Sequence, residues 1–228
     1  MEKAGVEPNR NKVQLCAING RKIFNSRPDQ KDNSKLFKKV LLRSRFASDL
    51  GKVDIFLAAC GRGQMLRHIW RKKTNYVLAL DIDKGKIEDV RYHFPDIDAR
   101  VADINVFSDW PTNVKFQIAD FDVYGSPYQA ILNFLESAHW ETPLYVFVTD
   151  GLPLWIGRGG FLPSVFTGET IPARIKGSEA KKYYLESIVI PWWHDMARKK
   201  NLKIAQSVTL WKKGKTVAYY GIKLISNL

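Results

Sequence analysis

The chain has 228 residues, 45% of them hydrophobic, with 36 Lys and Arg against 23 Asp and Glu, a formal net charge of +13 and a pI near 9.7. That length holds one large domain with a full core, and the composition excludes a mainly disordered chain. No apolar run reaches membrane-spanning length, and MEKAGVEPNRNK is too polar for a signal peptide, so no membrane partner is expected.

Residues 1–33 read as a polar extension, with VQLCAI and RKIF flanking the turn pair Asn19-Gly20 as a possible hairpin. Asn33 or Ser34 is placed to cap a basic amphipathic helix, KLFKKVLLRSRFASDL, whose Leu36, Val40 and Phe46 make a buried stripe. A single domain is expected over residues 34–228. From residue 53 short apolar runs alternate with helical patterns. VDIFLA, NYVLAL, DARVA, KFQIADF and PLYVFVT read as strands, and QMLRHIWRK, KGKIEDVRYHF and YQAILNFLESAHW as helices. Near-continuous apolar strands between helices indicate a parallel sheet covered on both faces. Residues 178–199 read as a further helix that Pro191 bends or ends. KIAQSVTLW and TVAYYGIKLI, joined by KKGK, then make an antiparallel pair.

Two cysteines, Cys16 and Cys60, cannot build a disulfide framework, and with four scattered histidines they fall short of a zinc site. A metal-free protein of the reducing cytoplasm is expected. The positive surplus favours a polyanion, because Lys and Arg gain affinity by releasing phosphate counterions. Nucleic acid is the expected partner; a merely well-solvated basic surface is the competing account.

The first strand runs into Ala59-Cys60-Gly61-Arg62-Gly63. Glycines in a strand-to-helix turn let the backbone approach a ligand at the carboxyl end of a parallel sheet. A lone turn of this kind serves packing as often as binding, but acids follow at successive strand ends. Asp81, with Ile82, stands where a carboxylate accepts from both ribose hydroxyls. Asp103, with Ile104, stands where one accepts from an adenine amine, and Asp83 reads as a helix cap. At this point the sequence resembles class I methyltransferases, whose first motif looks like IFLAACGRG (Ile55 to Gly63). That family often has an acid where Leu57 stands and glycine where Ala59 stands. The resemblance implies a Rossmann-like α/β fold, a mainly parallel seven-stranded sheet closed by a C-terminal antiparallel hairpin. It also implies S-adenosylmethionine, held by Ala59, Cys60, Gly61, Gly63, Asp81, Ile82, Asp103, Ile104 and Asp122.

The fourth strand ends in Asp120-Phe121-Asp122-Val123-Tyr124-Gly125-Ser126-Pro127-Tyr128. An exocyclic base amine is a poor nucleophile because its lone pair is delocalised into the ring. A carboxylate such as Asp122 can accept an amine N–H, turn the lone pair outward and stabilise charge on nitrogen. Tyr124 offers a face for base stacking, and Gly125 and Pro127 stiffen the turn. Asp122 as a mere helix cap is the competing account. The segment resembles the D-L-D-P-F-G-S-P motif of the tRNA guanine-N(2) dimethyltransferases, with Val123 in place of the family's proline. FVTDGLPLWIG resembles their T-D-x-x-x-L-x-G, at Thr149, Asp150, Leu154 and Gly157. This resemblance implies N-methylation of guanine in RNA, with tRNA processing as the setting. Asp122 and Tyr124 would be catalytic, and Tyr124, Ser126, Pro127 and Arg158 would meet the substrate.

Residues 151–177 form a Gly- and Pro-rich stretch longer than ordinary connections. Arg158, Arg174 and Lys176 are placed there for phosphate, and Phe161 or Phe166 for a base. Trp192-Trp193-His194-Asp195 reads as packing, since neighbours on a helix point in different directions. Two other functions remain open: an adenine amine methyltransferase on DNA or RNA, and a catalytically silent nucleic-acid-binding module. The departures at Leu57, Ala59 and Val123 favour the second.

Overall fold

In a computed structural model, residues 33–123 and 125–227 are described; the hairpin expected before residue 33 and Tyr124 lie outside them. The elements run α1 (Asn33–Phe46), β1 (Val53–Ala58), α2 (Gln64–His68), β2 (Thr74–Asp81), α3 (Lys84–His93), β3 (Asp98–Val101), β4 (Phe116–Phe121), α4 (Tyr128–Ser137), β5 (Trp140–Asp150), α5 (Leu152–Ile156), α6 (Gly177–Tyr183), α7 (Ile190–Lys199), β6 (Leu202–Trp211) and β7 (Ala218–Ser226). The seven strands form one sheet in the order β3-β2-β1-β4-β5-β7-β6. β1 to β5 pair in parallel, and β7 is antiparallel to both β5 and β6.

Period-two alternation assigns each strand residue to one face of the sheet. In β1, Ile55 and Leu57 pack with Leu36, Val40 and Phe46 of α1 and with α3. Phe56 and Ala58 point the other way, into a cluster with α4 and α7. The aromatic centre of that second cluster is Phe56, Trp110, Phe116 and Phe134, with Phe56 stacked on Phe134 at 5.2 Å.

Four local readings change. The helix expected over QMLRHIWRK breaks at Ile69 (φ −132°), so α2 stops at His68 and a 3₁₀ turn covers Trp70–Lys72. The break turns Trp70 fully inward, and its Nε1 donates to Asp120 Oδ2 at 2.8 Å. At the end of α4, Trp140 belongs to β5 rather than to the helix, because it pairs with Phe116 of β4. α1 is described from Asn33 on, and Asn33 and Ser34 lie within it. Pro191 does not end the helix, which runs on as α7; just before it, between α6 and α7, the helix widens into a π-helix, Tyr184–Val189. There Ile190 N–H donates to Leu185 O, five residues back. Pro191 has no N–H to give, and a wide turn just before it lets the helix continue.

Two buried polar groups fix the layers. Arg43 of α1, with no exposure, forks onto Asp120 of β4: Nε to Oδ2 at 2.6 Å and Nη2 to Oδ1 at 2.5 Å. On the opposite face, Asp150 at the end of β5 accepts from Tyr128 (2.6 Å), Tyr184 (3.0 Å) and the Leu152 N–H (2.9 Å). Tyr220 donates to the Tyr128 hydroxyl at 3.1 Å, and Trp193 Nε1 to Tyr220 at 3.4 Å. The π-helix sets Tyr184 at its first position, where it reaches this carboxylate.

Arg43→Met leaves the Asp120 carboxylate buried without its counter-ion, and should destabilise the fold by about 3–5 kcal/mol in urea unfolding. Adding Asp120→Leu to that variant should restore much of the loss. Burial lifts the Asp150 carboxyl from 3.8 to about 6, even though its tyrosine and backbone hydrogen bonds pull the other way. Between those two values the folded chain holds a proton that the unfolded chain has released. The Asp150 contribution to stability is therefore greatest below about pH 4 and declines up to about pH 6. Comparing unfolding midpoints of wild type and Asp150→Asn across this window should show the wild type losing ground as pH rises. A flat difference would mean that Asp150 is ionised throughout.

Candidate functional site

The carboxyl ends of β1, β2 and β4 open into a cleft of about 500 Å³, the edge at which open α/β sheets bind ligands. The turn after β1 forms its floor. Ala59, Gly61 and Gly63 all have positive φ (53°, 55° and 73°). At Ala59 the side chain makes this left-handed conformation cost about 1–2 kcal/mol relative to glycine. A Cβ at Gly61 would meet nothing within 4 Å, so that stretch of backbone lies open. Gly63 lies behind the wall instead, where a Cβ would come within 2.9 Å of Phe94. The cleft is lined by Ala59, Cys60, Gly61, Asp81, Ile82, Asp103, Ile104 and Asp122, together with Lys39, Leu57, Asp120 and Thr149. Gly63 is not among its lining residues.

Asp81 organises the β2 side. Its Oδ2 accepts from Gly61 N–H and its Oδ1 from Asp83 N–H, each at 2.9 Å. Each oxygen keeps a second lone pair, enough to accept from a ribose diol. Lys86 stands 3.6 Å from the same carboxylate. Asp83 caps α3 by accepting from Gly85 and Lys86 N–H. Asp103 closes its own turn, its Oδ1 accepting from the backbone and side-chain nitrogens of Asn105 at 2.9 Å. Ile82 is 71% exposed and Ile104 is buried, so one apolar side chain is free at the mouth and the other is part of the core. Burial, with Asp81 adding to it, pushes the Cys60 thiol up to about 12, which favours its protonated form.

The β4 side carries the charges. Lys39 Nζ lies 2.5 Å from Asp122 Oδ1, with both side chains only partly exposed. Lys39 and Arg43 are one helical turn apart, and Asp120 and Asp122 are two residues apart on one strand. Helix and strand periods thus bring two cations onto two acids. Burial pushes the Asp122 carboxyl up, but Lys39 and then Arg43 outweigh it and hold the group below its ordinary value. Thr149 Oγ1, also in the cleft wall, adds to the pull on Asp122, but it is buried and has no hydrogen-bond partner among the described residues. Asp122 does not cap α4, which starts at Tyr128 after Pro127 with no side-chain cap.

Leu57 pairs in register with Asp120. A carboxylate is therefore present at that level of the cleft, but it comes from the neighbouring strand and is already engaged by Arg43 and Trp70. Pro127 is buried and Ser126 half-buried on the turn after β4. Arg158 is exposed on the segment after α5 and does not line the cleft. The reading of residues missed Lys39, Arg43 and the tyrosines around Asp150. For Lys39 and Arg43 the sequence signal is a lysine and an arginine on the otherwise apolar stripe of α1, and the tyrosines carry none.

The chemistry of the cleft fits a nucleoside with a flexible polar arm: an open stretch of backbone at Gly61, a carboxylate with spare acceptor capacity, an apolar flank and, among the described residues, an unpartnered hydroxyl at Thr149. Among the described residues no group of three or more His, Cys, Asp or Glu could hold a metal ion. No helix there is long and apolar enough to cross a membrane.

No family model matches the sequence, and no curated protein does. Solved structures do match the fold. A Streptococcus thermophilus protein carrying the designation hemolysin superposes with a TM-score of 0.59 at 11% identity, over 86% of this chain and 67% of that one. A SAM-dependent methyltransferase from Leishmania major gives 0.54 at 9% identity, over 85% and 74%. The ribosomal protein L11 methylase of Lactobacillus delbrueckii subsp. bulgaricus gives 0.51 at 13% identity, over 86% and 81%. With the strand order and the antiparallel final pair, these likenesses show that the chain has the Rossmann-like fold of class I methyltransferases.

Proposed function

We propose that the protein is an S-adenosylmethionine-dependent methyltransferase acting on the exocyclic amine of guanine in RNA, with tRNA as the substrate class and the cytoplasm as its location. The observation that carries this reading is the placement of Asp122: a partly exposed, ionised carboxylate on the wall of the cleft that Asp81 and Asp103 also line. S-adenosylmethionine, when bound, supplies an activated methyl group. Asp81 would take the ribose hydroxyls, Asp103 the adenine amine and the Gly61 backbone the close approach. The orphaned Thr149 hydroxyl is a spare partner for the polar arm.

Lys39 engages Asp122 Oδ1, so Oδ2 is the oxygen to accept an N–H of the substrate amine. That contact orients the nitrogen lone pair and offsets the positive charge that grows on nitrogen. Lys39 and Arg43 keep the acceptor ionised. The guanine preference rests on the resemblance of Asp122 to Pro127 to the guanine-N(2) dimethyltransferase motif, and the RNA preference on the net charge of +13. A target base must leave its stack to reach such a cleft.

Incubating the protein with tRNA and S-adenosylmethionine, then identifying modified nucleosides by mass spectrometry, should give N2-methylated guanosine. Methylated adenosine would transfer the assignment to an adenine amine. Absence of binding heat with S-adenosylmethionine would mean a silent module. Asp122→Ala should abolish transfer while leaving cofactor affinity within a few-fold, whereas Asp81→Ala should weaken cofactor binding by about tenfold or more, at roughly one lost charged hydrogen bond.

Asp122 must be ionised to accept the amine, and its depressed value keeps activity to low pH, lost as pH falls through that value. Lys39→Met removes the largest lowering influence, so the acid limb of the kcat–pH profile should move to higher pH. An unmoved limb would show that Lys39 does not control this carboxylate.

A further inference from the structure

The segment from residue 157 to 176, between α5 and α6, leaves the sheet at the edge that carries the cleft. Gly151, just past β5, donates its N–H to Gly125 O of the turn after β4 at 3.0 Å. Phe166 anchors the segment from beneath, 4% exposed and edge-on to Tyr128 at 4.7 Å, so it is not available to a base. Around this anchor the segment borders a half-open hollow of about 990 Å³, at the top of the range for ligand sites.

Two large aromatic side chains stand out of that packing. Phe161 is 88% exposed and Trp155, at the end of α5, is 57% exposed. Trp155 is nevertheless held in place: its indole lies over Gly160, where a Cβ would come within 2.0 Å of the ring. Gly160 N–H also donates to Trp155 O at 3.1 Å. The exposed charge on this segment is mostly positive, since Arg158, Arg174 and Lys176 are exposed and Glu169 is the one acid between residues 151 and 176. Lys181 of α6 extends this face. Its side chain lies over Gly157, and its ammonium donates to Gly214 O at 3.0 Å. That contact ties the segment to the basic turn Lys212–Lys215 between β6 and β7.

We propose that this face binds an unpaired stretch of RNA, with one base on Phe161, a neighbouring base on Trp155, and phosphates against Arg158, Arg174 and Lys176. The proposal rests on the RNA-methylation reading and names how nucleotides flanking the target are held. Exposed rings offer stacking to any base, and cations beside them follow the backbone. A duplex keeps its base faces inside the stack and cannot use such rings.

Fluorescence anisotropy of the full chain with a labelled, unstructured oligoribonucleotide tests it. Phe161→Leu and Trp155→Leu should each weaken binding by about tenfold, the loss expected for one stacked base. Phe161→Trp should stay within about twofold of wild type. Arg158→Ala with Lys176→Ala should flatten the salt dependence, which the aromatic variants should leave unchanged. A duplex RNA of equal length should compete poorly. Leucine variants that bind like wild type, or tighter binding of single-stranded DNA of the same sequence, would overturn the proposal. If those variants bind normally while RNA is still methylated, only this inference fails. If the wild type does not bind RNA at all, the RNA reading of the cleft fails with it.

Discussion

The α1 cations on the β4 acids are the constraint on which the rest of the cleft depends. Asp120 and Asp122 stand side by side at the end of a central strand, where two unpaired carboxylates would repel each other and resist burial. Arg43 neutralises the deeper one completely, with both oxygens engaged and Trp70 adding a third donor. Lys39 neutralises the outer one at the surface of the cleft. The two pairs differ in what they allow. A bidentate arginine pair with no exposure is a fixed element of the core, whereas a lysine on a partly exposed carboxylate is a point charge on a flexible stem. The inner pair therefore holds the wall in place, and the outer pair leaves a carboxylate that a ligand can share.

The turn after β1 faces these same acids across the cleft. Leu57 pairs in register with Asp120 and packs with the α1 cluster. Ala59 keeps the left-handed backbone that a glycine would hold without strain. The turn brings an open stretch of backbone at Gly61 to the cleft, tied down by Asp81 through Gly61 N–H.

Much of the fold was legible in the sequence because parallel strands announce themselves as near-continuous apolar runs. The acids at successive strand ends were legible for the same reason, since each follows directly from a strand boundary. What stayed hidden depends on residues far apart. Arg43 looks like one more cation in a basic helix, and only the approach of Asp120, 77 residues on, makes it a core residue. Tyr128, Tyr184 and Tyr220 come from three separate elements and meet only around Asp150. The break at Ile69 follows from the burial of Trp70 against that same distant acid, which overrode a good local helix pattern. Phe161 and Phe166 were equal candidates by composition, and packing against Tyr128 separated them.

The order of the last two strands has a consequence for synthesis. β6 precedes β7 along the chain, yet β7 lies between it and β5. When β6 emerges from a ribosome it has no edge to join, and its future neighbour has yet to be made. Both strands must enter together, or β7 first. Until then the long edge of β5 stays uncovered, an open ladder that a nascent chain must shield from other strands.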